Sequence, residues 1–214
     1  MSNLLQHGEL VPLDQIAPML LERIAATALA EPAVFSEWIE HLAADNPGGN
    51  AIVLRPDATP IGDLQIDWTD ECRRHRICAV AALGDVRVAG AITNANLDGG
   101  PLLFVGGDLE ATRIEKGGAN VVVLGSVKAA GVVLCEYNHG VLRIGGDLDC
   151  EALIVLDQDV LVQGSVRAPH LDWDEGDLRD HLVAEVFDDD DSDLPDGTII
   201  RKRLAAALPV LKQP

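Results

Sequence analysis

Few side chains in this sequence are spaced for covalent chemistry. Cys72, His75 and Cys78 fall at intervals that metal ligands use. A structural zinc site takes four ligands, usually in close pairs; no fourth is evident, and Arg73, Arg74 and Arg76 beside them repel a cation. Glu136-Tyr137-Asn138-His139-Gly140 brings a carboxylate, a phenol, an amide and an imidazole into one short stretch. Its composition is that of an ordered corner, with Asn138 expected in a left-handed conformation. Tyr137, the single tyrosine, suits a contact anchor. There is no nucleophile elbow and no phosphate loop. Gly106-Gly107-Asp108 and Gly145-Gly146-Asp147 lack the G-x-G-x-x-G pattern and following helix of a dinucleotide site. We therefore expect no catalytic residues, no metal and no cofactor.

The remaining chemistry is ionic. Residues 172–193 hold eleven acids against one base, Arg179. The run from Asp188 to Asp193 lacks the Gly-centred spacing of a calcium loop and is too charged to fold against a core. The net charge of the chain is −19. That excludes a basic footprint for nucleic acid or anionic membrane and suits attraction to a basic protein. The first ten residues lack the basic and apolar regions of a secretion signal, and no apolar run nears the roughly 20 residues of a membrane span, so a cytoplasmic location is expected. Four cysteines are too few for a disulfide framework in 214 residues.

The element that must carry these groups is a repeat between Val80 and Leu171. Its marker is a glycine followed by Asp or Ser: Gly84-Asp85, Gly107-Asp108, Gly125-Ser126, Gly146-Asp147 and Gly164-Ser165, with Gly62-Asp63 as an outlying copy in the same phase. Columns align around each glycine. Four before stand Val80, Leu103, Val121, Leu142 and Val160; two before, Ala82, Val105, Val123, Ile144 and Val162. Two after stand Val86, Leu109, Val127, Leu148 and Val166; four after, Val88, Ala111, Ala129, Cys150 and Ala168. Seven after, the last four copies give Ile114, Val132, Leu153 and Leu171. Apolar residues two apart share one face of a strand, and the glycine permits a bend that a Cβ opposes. A strand pattern repeating at about 20 residues reads as one coil of a β-solenoid, each coil burying its apolar face on the next. Aromatic residues make up only 3% of the chain, so the core is aliphatic.

The flanks differ from the repeat. Ile16, Leu20 and Ile24, then Val34, Trp38, Ile39 and Leu42, follow helical spacing. They predict a helical hairpin over 14–45, with Asp14 as its cap, placed over the open end of the solenoid. The expected fold is mainly β: a β-solenoid over 51–171, an N-terminal helical segment within 1–50 and an acidic C-terminal cap over 172–214. Residues 198–208 read as a last strand or a short helix, with Arg201-Lys202-Arg203 folding back on the acids.

The segments Leu103-Phe-Val-Gly-Gly-Asp-Leu-Glu-Ala111 and Leu142-Arg-Ile-Gly-Gly-Asp-Leu-Asp-Cys150 resemble the bactofilin type of polymer-forming β-solenoid. The resemblance spans residues 80–171 and implies a right-handed parallel β-helix without catalysis, whose bare ends stack into filaments. This chain departs from that pattern in its uneven coils and foldable flanks. The expected function is accordingly a non-enzymatic protein-binding module. Its sharpest form is an immunity protein that occludes the active site of a basic toxin, a nuclease or another nucleic-acid-directed enzyme. The contact residues expected are Tyr137, Trp173, Asp174, Glu175, Asp188, Asp189, Asp190 and Asp191. The alternative is a self-assembling scaffold of the bactofilin kind.

Overall fold

The structure is a computed structural model; it describes residues 4–55, 61–174, 176, 178–188 and 194–213. The lead-in contains β1 (Gly8–Pro12), α1 (Leu13–Ala26), α2 (Ala33–Asp45), β2 (Asn50–Leu54), β3 (Leu64–Gln65) and α3 (Asp70–His75). Five coils of three strands follow. Coil one is β4 (Ile77–Ala82), β5 (Val86–Arg87) and β6 (Ala91–Asn94); coil two is β7 (Leu102–Val105), β8 (Leu109–Ala111) and β9 (Arg113–Lys116). Coil three is β10 (Val121–Val123), β11 (Val127–Ala129) and β12 (Val133–Glu136); coil four is β13 (Val141–Ile144), β14 (Leu148–Asp149) and β15 (Leu153–Leu156). Coil five is β16 (Asp159–Val162), β17 (Val166–Arg167) and β18 (His170–Asp172), and α4 (Gly197–Ala205) lies near the C-terminus.

Equivalent strands pair in parallel from coil to coil, making three sheets of order β1-β2-β4-β7-β10-β13-β16, β5-β8-β11-β14-β17 and β3-β6-β9-β12-β15-β18. Among the described strands of these three sheets only β1 runs antiparallel, against β2. The fold is the β-solenoid expected from the repeat. Four of the columns stack as read: Val121 pairs with Leu103 and Leu142, Val123 with Val105 and Ile144, Val127 with Leu109 and Leu148, and Ala129 with Ala111. Their side chains fill the interior. Each fully buried Val or Leu contributes about 1.5–3 kcal/mol relative to exposure.

The fifth column is corrected. Ile114 pairs with Val133, and Leu153 pairs with Val133 and His170. Val132 and Leu171 therefore lie outside the solenoid, in a separate apolar cluster. The corner between the second and third sheets differs by a residue among coils, and a one-residue slip turns a side chain to the other face. The outlying Gly62-Asp63 copy is also out of phase. Leu64 pairs with Ile92 in the third sheet rather than with Val86 in the second.

What covers each sheet explains its sequence. Every residue of β4, β7 and β10 is buried, because α1 and α2 pack on the outer face of the first sheet through Ile16, Leu20, Phe35 and Ile39 against Ala79, Ala81, Phe104 and Val122. A sheet covered on both sides reads as a continuous apolar run. On the third sheet, outward Leu134 and Ile154 meet Leu178, Leu182, Val186, Ile200 and Val210 of the C-terminal segment. On the second sheet Val127 points in and Lys128 points out to solvent. The outward residues there alternate in charge: Arg87, Glu110, Lys128, Asp149 and Arg167 lie side by side along the stack.

The helical hairpin thus clothes a flank instead of capping an end, and the C-terminal segment does the same. Both have an apolar face whose natural complement is the outward apolar residues of a sheet. The N-terminal end is closed by other means. Leu4, Leu5, Trp68 and Cys72 pack on the end of the interior core, Glu71 Oε2 accepts from Leu4 N at 3.0 Å, and β1 runs antiparallel across the edge of β2. Asp14 lies within the first turn of α1 and makes no cap; Pro12 holds that position. Residues 197–205 form α4, capped by Asp196, whose Oδ1 accepts from Thr198 N at 2.6 Å and Ile199 N at 3.2 Å.

Candidate functional site

The Gly-Asp/Ser marker is structural, because its side chain ties each coil to the next. Asp85 Oδ1 accepts from Asp108 N at 2.8 Å, Asp108 Oδ1 from Ser126 N at 2.7 Å, Ser126 Oγ from Asp147 N at 3.1 Å, and Asp147 Oδ1 from Ser165 N at 2.9 Å. Each side chain reaches one coil onward, into space that a Cβ on Gly107, Gly125, Gly146 or Gly164 would occupy. Gly84 starts the ladder with no Asp behind it, and a Cβ there meets nothing within 4 Å. None of these glycines has a positive φ. They serve close approach rather than a left-handed bend.

The corner leading from the third sheet back to the first behaves differently. Between the stacked interior residues that flank it, the chain advances from Asn94 to Leu103, Lys116 to Val121, Cys135 to Leu142 and Val155 to Val160, so no constant length holds. Side chains tie these loops together. Gln158 Nε2 donates to Gly117 O at 2.8 Å, Glu136 O at 3.1 Å and Tyr137 O at 2.7 Å. Asn94 Nδ2 donates to Asp67 Oδ1 at 3.0 Å and Gly99 O at 3.1 Å. Positive φ angles occur here at Tyr137 (77°), Asp157 (56°) and Gly99 (139°). The left-handed residue is Tyr137, not Asn138 as its type suggests; the Gln158 amide fixes the Tyr137 carbonyl. Strained backbone of this kind persists where surroundings over-determine it.

Beside this corner, Asn138, Asp157, Gln158, Asp172, Trp173 and Asp174 line a recess of about 270 Å³. Asp159 closes one side and is taken up by Arg143, whose Nη1 donates to its Oδ1 at 2.9 Å and whose Nη2 meets its Oδ2. The Arg143 hydrogen bond holds the Asp159 carboxyl below the usual range. Asp172 has His170 at 3.8 Å. Trp173 is exposed. Tyr137 is half-buried next to the recess, edge-on to His139 at 4.6 Å, and His139 Nδ1 lies 3.8 Å from Asp98 Oδ1 of another loop.

Two buried ionisable groups sit by this corner. Lys116 is fully buried inside the solenoid, in line with Asn94 and Cys135, and its Nζ donates to Gly117 O at 3.1 Å. Desolvation brings its pKa down to about 7, and burial pushes the Cys135 thiol up to about 12. Outside, Glu136 pairs with Arg201 of α4 at 2.5 Å. Burial raises the Glu136 pKa, Arg201 opposing. Arg201 thus anchors the C-terminal segment to the solenoid rather than to the acidic run.

Of the expected contact residues, Trp173 and Asp174 line the recess and Tyr137 adjoins it. Asp188 is exposed on the segment over the third sheet and does not line it. Glu175, Asp189, Asp190 and Asp191 lie outside the described residues. Asp157, Asp159 and Lys116 were not expected. Lys116 had a signal: alternation from inward Ile114 places it inside. Cys72 packs in the interior while Cys78 faces the helices outside, which separates the metal-like trio. Among the described residues no group of three or more His, Cys, Asp or Glu is placed to hold a metal, and no helix is long and apolar enough to cross a membrane. Comparison with protein-family models, with curated proteins and with solved structures finds no match.

Proposed function

We propose that this chain is a non-enzymatic binding protein for a basic protein partner. In its sharpest form it is a cytoplasmic immunity protein that occludes the active-site cleft of a basic toxin, a nuclease or another nucleic-acid-directed enzyme. The observation that carries this reading is the recess at the uneven corner, where Asp157, Asp172 and Asp174 surround exposed Trp173 on a rigid solenoid. An aromatic face beside carboxylates suits a guanidinium or ammonium group. The net charge of −19 steers a basic partner toward it, in a salt-dependent way. Tyr137 and Asp188 extend the contact surface on this reading.

The test is co-expression with the product of the neighbouring gene. A stable complex, with the partner's activity neutralised at equal stoichiometry and lost in Asp157→Asn/Asp172→Asn/Asp174→Asn, supports the reading. A partner bound just as tightly by that variant at low salt overturns it.

A second reading, the bactofilin-like scaffold, is favoured by one feature: among the described residues no further coil stacks on coil five. The closed N-terminal end weighs against it, since a filament needs two free ends. Sedimentation and negative-stain microscopy separate the two. Filaments sink the binding-protein reading, and a monomer or small oligomer sinks the scaffold.

A further inference from the structure

The last coil presents backbone donors with no acceptor among the described residues. In each earlier coil the amides of inward-facing residues donate to the next coil. Leu103 N reaches Asn120 O at 2.9 Å, Leu109 N reaches Ser126 O at 2.9 Å, Val133 N reaches Ala152 O at 2.9 Å, and Leu153 N reaches Pro169 O at 3.0 Å. Outward-facing residues donate backward, as Gln163 N does to Ile144 O at 2.9 Å. Continued into coil five, the alternation aims the amides and carbonyls of Val160 and Val162 away from the solenoid. Among the described residues, β16 has β13 on one side and no strand on the other. It is the longest of the three free edges, and its first residue borders the acidic recess.

We propose that an extended segment of the basic partner adds to the free edge of β16 and completes the first sheet, with its basic side chains at Asp157, Asp172 and Asp174. This rests on the basic-partner reading and says where and how that partner docks. Main-chain hydrogen bonds supply affinity in strand addition, and alternate side chains supply specificity. Val160 and Val162 are half-buried at the end of the core, so the added strand places apolar residues over them. Its intervening residues stand outward, one over Asp159, where a cation is favoured, and one over Leu161, which packs toward the helices. A second copy of this chain fits the edge less well. It brings the same acids toward themselves at −19 charges apiece, and inward positions of β18 hold His170 and Asp172 instead of apolar residues, a device that discourages edge-to-edge pairing.

The test is amide hydrogen exchange by NMR on the full chain, with a ten-residue peptide of alternating valine and lysine as probe. Saturating peptide is expected to slow exchange at Val160 and Val162 at least tenfold and to change Trp173 fluorescence, whereas an alternating valine–glutamate peptide does neither. Val162→Pro removes one outward amide and spares the bonds made by Leu161 and Gln163, as edge strands tolerate. It is expected to weaken the lysine peptide at least tenfold while β13 amides stay protected. Should that variant unfold, Asp172→Asn/Asp174→Asn gives the same loss without touching the strand. Protection of Val160 and Val162 that rises with protein concentration in the absence of peptide assigns the edge to a second copy and overturns the proposal. So does peptide binding that leaves these amides unprotected. A natural basic partner that binds without protecting them removes strand addition but keeps the basic-partner reading; filaments of the chain alone remove that reading itself.

Discussion

At the corner between the first and second sheets, Asp85, Asp108, Ser126 and Asp147 each accept from the backbone of the coil above, and a glycine in that coil clears the room. At the corner between the third and first sheets the loops vary in length, Gln158 clamps three carbonyls at once, and Tyr137 and Asp157 adopt positive φ. The first corner is a lattice: each rung needs a fixed number of residues to meet the next, so insertion is forbidden. The second is held by particular side chains, so its loops can lengthen and carry exposed groups. The contrast teaches that in this repeat the recurring motif is architecture, and the exposed polar and aromatic groups gather where the repeat fails.

Four experiments bear on that contrast, in order of size. Gly125→Val forces a side chain into Asp108 and the Gly107 backbone. We expect about 4 kcal/mol lost, from overpacking together with the broken rung at Ser126, read by denaturant unfolding. Lys116→Met removes a buried amine beneath the uneven corner and is expected to stabilise on the order of 3 kcal/mol at pH 7. The folded pKa lies at about 7 against 10.5, so between these values the unfolded chain holds a proton that the folded chain does not. Wild-type stability climbs as pH rises through that window, and the variant lacks this climb; equal slopes would sink the assignment. Asp108→Ala loses one partly solvated rung to Ser126 N and costs about 1 kcal/mol, with no change in circular dichroism. Inserting Gly-Ser after Asn138 costs about 0.5 kcal/mol, since loop closure grows slowly with length. If this insertion destabilises as much as Gly125→Val, the two corners do not differ as argued.

The columns at four and two residues on either side of the glycine were legible in the sequence because strands of the first and second sheets join through that invariant corner. Val132 and Leu171 misled because the next corner gains or loses a residue, and one residue reverses a strand's faces. Gly62-Asp63 misled because a glycine-acid pair also occurs at that other corner, where Asp63 Oδ1 accepts from Ala91 N at 2.9 Å. The clothed flanks were readable but unread. All-apolar β10 against alternating β11 announces a sheet covered on both faces beside one that is bare. At the site, Trp173 and Asp174 were found as an aromatic and an acid outside the repeat. Asp157 joins them through stacking of coils, which no local pattern reveals.

The closed N-terminal end has a consequence for how the molecule comes into being. Leu4, Leu5, Trp68 and Cys72 close the start of the interior core, and the amides of each coil hydrogen-bond to its successor. Such a chain can crystallise, as it were, upon its own beginning. A chain built this way can fold in the direction of synthesis, one coil at a time, each newly added coil then being the edge that β16 is in the finished protein.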